Sequence, residues 1–275
     1  MVDVAFFAVA SVLYLGATGL YHAAWVGRAR RWRQFATWLL VAAVAVHGVG
    51  MAVRWLLAGR PPLADAFESF SFYGWMLAVG YLVLERRTRQ PGLGALVVPI
   101  ALVAILVASF FPKGIRPLLP VLQSPWLGVH VTVSFLAYVT FTLAFASAAG
   151  FLWVEGILKG HRPLRWRRNL PSLLSLEALG QRLALVGLIL MTGSLVTGAL
   201  WARVAWGVPW VWQPQQIGAL VTWAVYAGYL GAWYGLGWRG RRAAWLLVAG
   251  FVAVLSTFVG ADLVLPGSLH SFLWQ

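Results

Sequence analysis

The chain has 275 residues, 61% of them hydrophobic and only 10% charged, with a formal net charge of +14 and no cysteine. So much apolar surface excludes an ordinary soluble domain and predicts an all-α polytopic membrane protein. The missing cysteines exclude disulfides, thiolate metal sites and thiol exchange within the chain.

Eight apolar runs have about the length that a membrane-crossing helix needs, roughly 20 residues. They cover about 4–26, 35–57, 67–85, 93–111, 127–158, 177–201, 216–238 and 243–265. The first run carries Asp3 before it and Arg28, Arg30, Arg31 and Arg33 after it. That polarity is the reverse of a cleavable signal peptide, so a retained helix is expected. Fifteen basic residues fall in alternate loops: the Arg28–Arg33 segment, Arg86–Arg89, Lys159–Arg168 and Arg239–Arg242. Five fall on the other side: Arg54, Arg60, Lys113, Arg116 and Arg203. The basic loops are expected to face the cytoplasm, which places both termini outside. The charge is then positive-inside bias, and no nucleic-acid partner is expected. No repeat or low-complexity linker interrupts residues 1–275, which read as one integral membrane domain.

Chemistry-bearing residues gather at the predicted outer ends. Asp65 and Glu68 open the third span, where carboxylates suit a helix N-terminus. His130 opens the fifth. The loop at 202–216 holds Trp206, Trp210 and Trp212, in the run Trp206–Gln216 with two prolines. His270 follows the eighth span, and Asp262 precedes it. Haem needs axial ligands, an apolar wall and donors for its propionates. Imidazole is a common axial ligand, and the tryptophans offer aromatic faces with N–H groups near water. Arg54, Arg60, Arg116 and Arg203 are the outer cations available for propionates. The bland alternatives are an interfacial aromatic belt and solvated histidines. His47 lies mid-span in the second run, where an ionisable group is a functional candidate, as iron ligand or proton relay, unless it merely bonds a neighbouring helix. His22 and His161 read as wet interfacial imidazoles, and Glu85 and Glu155 as local ion pairs.

Several segments resemble the cytochrome c assembly proteins, a family that includes the CcsA, CcmC, CcmF and HemX-type proteins. Trp206-Gly-x-x-Trp210-x-Trp212 is similar to the family's tryptophan-rich haem-handling signature. Within the family, Pro62–Ser69, Leu122–His130, Gly237–Arg242 and Leu265–Ser271 most resemble the CcsA branch, as does His47 followed by Arg54. The resemblance implies that His130 and His270 ligate haem iron beside the tryptophan loop. It implies haem b as cargo, presented on the outer face of a bacterial cytoplasmic (inner) membrane to apocytochrome c, whose cysteines form the thioether bonds. It also implies a ResB/CcsB-type membrane subunit as partner. At most the chain is then the haem-presenting subunit of a haem lyase complex. Two departures stand out. Gln213 and Gln216 replace the acidic residues of the family's Trp-Asp-Pro-Lys-Glu. Gly231 stands near where the family has a histidine in the span after the loop. The rival expectations are a HemX-like regulatory or scaffolding protein, which the neutral glutamines favour, and an unrelated small-molecule transporter. A transporter would show broken helices and midplane charges.

Overall fold

A computed structural model describes residues 2–27, 30–88, 92–115, 123–160 and 171–260. Among these, every regular element is helical. Eight α-helices run in chain order: α1 Val2–Gly27, α2 Arg30–Ala58, α3 Ala66–Thr88, α4 Gly94–Ser109, α5 Pro125–Lys159, α6 Leu173–Trp206, α7 Pro214–Gly235 and α8 Arg241–Leu255. A π-helical turn, Ser256–Gly260, extends the last. Each matches one predicted span. Six are long and apolar enough to cross a membrane; α4 is shorter, and α7 is not among the six. The protein is thus all-α and multi-pass.

The helices begin and end where local chemistry requires. Pro125 opens α5, where a missing N–H costs nothing, and the Ser124 hydroxyl accepts from Trp126 N. Ser172 caps α6 by accepting from Ser175 N at 3.0 Å. Pro214 opens α7 after Gln213. Helix α6 stops at Gly207, whose φ of 77° suits the left-handed position that ends a helix.

The chain falls into two compact units, Met1–Pro120 and Val121–Phe272. In the first, α1 buries Asp3, Phe7, Ala10, Tyr14, Ala17 and Tyr21, one stripe at helical spacing. Helices α2 and α4 pack on α1, and α3 packs on α4. Among the described residues Glu85 has no ion-pair partner; it accepts hydrogen bonds from Tyr21 Oη at 2.9 Å and Thr37 Oγ1 at 3.2 Å. Glu155 does pair, with Lys159 at 2.7 Å. In the second unit α5 is the hub, packed against α6 and α8. Phe141 on α5 stacks on Tyr226 of α7 with centroids 3.6 Å apart. Gly187 on α6 lies so close to the Phe141 ring that a Cβ there would overlap it. Small residues at such crossings let helices approach where lipid removes the hydrophobic drive for association.

Candidate functional site

The second unit positions His130. One turn into α5, its ring lies against α6, where Gly198 leaves room. A Cβ at Gly198 would stand 2.8 Å from His130 Cε1. His130 Nδ1 lies 3.0 Å from the Ser194 carbonyl. A carbonyl only accepts, so Nδ1 carries the proton and Nε2 keeps its lone pair. No described residue bonds Nε2. This is the arrangement that orients a metal-ligating imidazole, with the second nitrogen fixed by a backbone oxygen. Ser134 and Ser194 join their hydroxyls at 2.6 Å beneath the ring.

The aromatic wall starts at His130. Its ring is parallel to Trp201 within 6°, with centroids 6.2 Å apart. Trp201 meets Trp206 edge to face at 4.9 Å. Trp210 and Trp212 form a second edge-to-face pair, 5.6 Å apart and inclined 78°. The three loop tryptophans therefore do not make the single flat surface that their clustering suggests. Edge-to-face contact suits the ring quadrupoles better than a face-to-face sandwich. Trp212 is 74% exposed, while Trp210 is half-buried and its Nε1 has no acceptor among the described residues.

Gln216 closes the loop. Its Oε1 accepts from Val211 N at 3.0 Å. An amide oxygen performs this task as a carboxylate would, so losing the charge leaves this acceptor in place. Gly231 faces open space, with nothing within 4 Å of where a Cβ would stand. The buried residues of α7 are Thr222, Tyr226, Tyr229, Leu230 and Ala232 instead.

The first unit holds a different constellation. His47 is 1% exposed, and its Nε2 lies 2.7 Å from Ser71 Oγ. Phe7 and Tyr14 present their rings edge-on to it, each with centroids 5.9 Å away. Arg54, one helical stretch further, donates to Glu68 Oε1 at 2.8 Å, Asp3 Oδ2 at 2.9 Å and the Lys113 carbonyl at 2.9 Å. Arg60 donates to the other Glu68 oxygen at 2.7 Å. Asp65 caps α3 as expected, accepting from Glu68 N at 2.8 Å. Glu68 does more than favour a helix end: it bridges two buried guanidiniums. Burial is the main cause that raises the Asp65 carboxyl above its usual range, the Glu68 charge adds to it, and Arg54 and Arg60 oppose it.

Arg54 and Arg60, taken from the sequence as propionate donors, are thus buried and engaged by carboxylates. Arg203 is exposed on the last turn of α6, in the same unit as His130. His22 is a wet imidazole bonded to the Thr18 carbonyl. His161, His270, Asp262 and Arg116 lie outside the described residues. Sequence reasoning missed Ser134, Ser194, Gly198 and Trp201. Their spacing gave a signal: Ser194, Gly198 and Trp201 share one face of α6 at i, i+4, i+7.

The family model of the cytochrome C assembly protein matches residues 63–269. The chain belongs to the cytochrome c assembly protein family. Among this family's members it is similar to the "Cytochrome c biogenesis protein CcsA" of Prochlorococcus marinus subsp. pastoris. The two are 32% identical over 248 residues, covering 80% of this chain and 77% of that relative. It is also 32% identical to the protein of that name from Prochlorococcus marinus strain MIT 9303, over 86% of this chain and 84% of the relative. Among solved structures it is similar to "Cytochrome c Heme Lyase CcmF", with a TM-score of 0.69 at 16% identity. That match covers 98% of this chain but 48% of the other, so the chain spans about half of that protein's length and shares its fold.

Proposed function

We propose that this protein handles haem in the maturation of c-type cytochromes, as the haem-presenting membrane subunit of a haem lyase. The observation that carries the reading is the His130 ring, held by the Ser194 carbonyl, with Nε2 unbonded among the described residues and backed by Trp201. His130 is one axial ligand of haem b iron and His270 the other. Trp206, Trp210 and Trp212 flank the porphyrin, and Arg203, exposed on the last turn of α6, is a candidate for a propionate. Haem is cargo here. The chain binds and orients it, while apocytochrome c supplies the thiols that add across its vinyl groups. A ResB/CcsB-type subunit completes the complex. With eight spans and basic loops inside, both termini and the tryptophan loop face the outer side of the cytoplasmic membrane.

Protein purified in detergent is expected to show a Soret band that shifts on reduction. His130→Ala combined with His270→Ala is expected to lose it. Bound haem that is unchanged in the double variant overturns the ligand assignment. The neutral Gln213 and Gln216 and the missing histidine at Gly231 favour a second reading, a HemX-like regulatory protein that binds haem without delivering it. A deletion strain that still matures c-type cytochromes, but has altered levels of haem-synthesis enzymes, selects that reading.

A further inference from the structure

His130 is oriented by a backbone carbonyl, and any residue at position 194 would supply one. What this chain adds there is side-chain chemistry. Ser134 lies one turn after His130 on α5, and Ser194, 4% exposed, meets it from α6. Ser134 Oγ is 2.6 Å from the His130 carbonyl and 2.6 Å from Ser194 Oγ.

Proton count sets the direction of each bond. A hydroxyl has one proton to give, and a carbonyl can only accept. Ser134 therefore donates to the His130 carbonyl, and Ser194 donates to Ser134 Oγ. His130 Nδ1 in turn donates to the Ser194 carbonyl at 3.0 Å. The bonds close a ring, from residue 130 to residue 194 through the imidazole and back through two hydroxyls. Ser134 Oγ also lies 3.5 Å from Nδ1, too far to compete with the Ser194 carbonyl.

Serine and threonine hydroxyls inside helices commonly return to a carbonyl one turn back on their own helix. Thr140 and Ser147 do so on α5, and Thr192 and Thr197 on α6. Ser194 departs from that habit: among the described residues its hydroxyl bonds Ser134 alone. Glycines let the two helices come close enough for this. A Cβ at Gly193 would stand 3.6 Å from Val133 Cγ1, and one at Gly198 would overlap the His130 ring.

Building on the haem reading of His130, we propose that the Ser134–Ser194 hydroxyl pair is a clasp that fixes the His130 imidazole, with both serines as positioning residues. The clasp holds α6 where the Nδ1–H···O=C bond stays short. Such a bond raises the basicity of the ring nitrogen that faces a metal. A more basic ligand favours ferric over ferrous iron, so the clasp lowers the reduction potential of bound haem.

The test uses the full chain in lipid nanodiscs, first without haem and then with it. Without haem, 15N-labelled histidine reports the His130 ring, and His130→Gln assigns its signals. The expected spectrum has Nδ1 protonated and hydrogen-bonded. Ser134→Ala and Ser194→Ala should each shift it toward an unbonded imidazole, while Ser134→Thr, which keeps the hydroxyl, should leave it in place. With added haem, each alanine variant should bind about 10- to 100-fold more weakly. The midpoint potential should rise, by about 59 mV for each tenfold loss confined to ferric iron. Both substitutions break one bond, so the double alanine variant should lose no more than either single one. Three results overturn the proposal: a His130 ring unmoved in folded alanine variants, a Ser134→Thr ring that shifts as far as in Ser134→Ala, or a double variant whose loss is the product of the single losses. If the ring moves as expected but the unsubstituted protein takes up no haem, the clasp stands and the haem reading falls. If the alanine variants do not fold, the haem-free spectrum of the unsubstituted protein decides, since a protonated Nε2 with a bare Nδ1 overturns the clasp.

Discussion

Gly198→Ala tests whether the close approach of α5 and α6 sets the ligand geometry. The new Cβ would stand 2.8 Å from His130 Cε1 and 3.1 Å from Nδ1. To reach ordinary contact at 3.4 Å, the ring must retreat by about 0.6 Å. The same displacement stretches the 3.0 Å bond from Nδ1 to Ser194 O to about 3.6 Å, which is no longer a hydrogen bond. Overpacking costs about 1–3 kcal/mol, and alanine recovers about 1 kcal/mol of helix propensity over glycine. Global stability should therefore fall only modestly. Losing the orienting bond should weaken iron binding by about 10- to 100-fold, the range for such partners of ligating histidines. The assay is haem titration of the apoprotein followed at the Soret band, beside a thermal melt. Unchanged affinity and spectrum in a folded Gly198→Ala protein would falsify the orienting role of α6. Unchanged affinity in His130→Ala as well would remove His130 from the site altogether.

Glu68→Gln leaves two buried guanidiniums short of a charge partner, which should cost about 3–5 kcal/mol; a melting midpoint within error of the unsubstituted protein would refute this. Gln216→Leu removes the acceptor for Val211 N and should loosen the tryptophan loop by about 1 kcal/mol, read as faster protease cleavage between Gly207 and Gln213, whereas Gln216→Glu should cleave at the original rate. Asp65 has a folded-state pKa raised by burial, so its contribution is fully present below its unfolded pKa and is lost as pH rises through the folded value. Relative to the unsubstituted protein, Asp65→Asn should therefore gain stability as pH climbs above about 4, the ordinary value for an aspartate; a difference independent of pH refutes it.

Most of the fold was legible in the sequence. In a membrane, backbone groups must satisfy themselves, so an apolar run of sufficient length is a helix whatever surrounds it. All eight runs became helices for that reason. The ligand candidate His130 and the tryptophans were legible because their residue types are costly to place idly near a membrane face. Charges were read less well. Arg54, Arg60 and Glu68 looked like separate surface groups because hydropathy ranks each alone, while their energies depend on partners as far off in sequence as Asp3. The ring angles of the loop tryptophans were not legible, because spacing says nothing about them.

Composition and periodicity thus settled the class and the helix positions, since these follow from local chain physics and the low dielectric around it, and they picked out the candidates for haem-type chemistry. Tertiary packing alone decided the rest. It turned His130 onto Gly198 and Ser194, so fixing which nitrogen is free. It inclined the tryptophans into edge-to-face pairs. It also buried His47 beside an ion network. Each of these depends on contact between residues distant along the chain, and no local pattern encodes such distances.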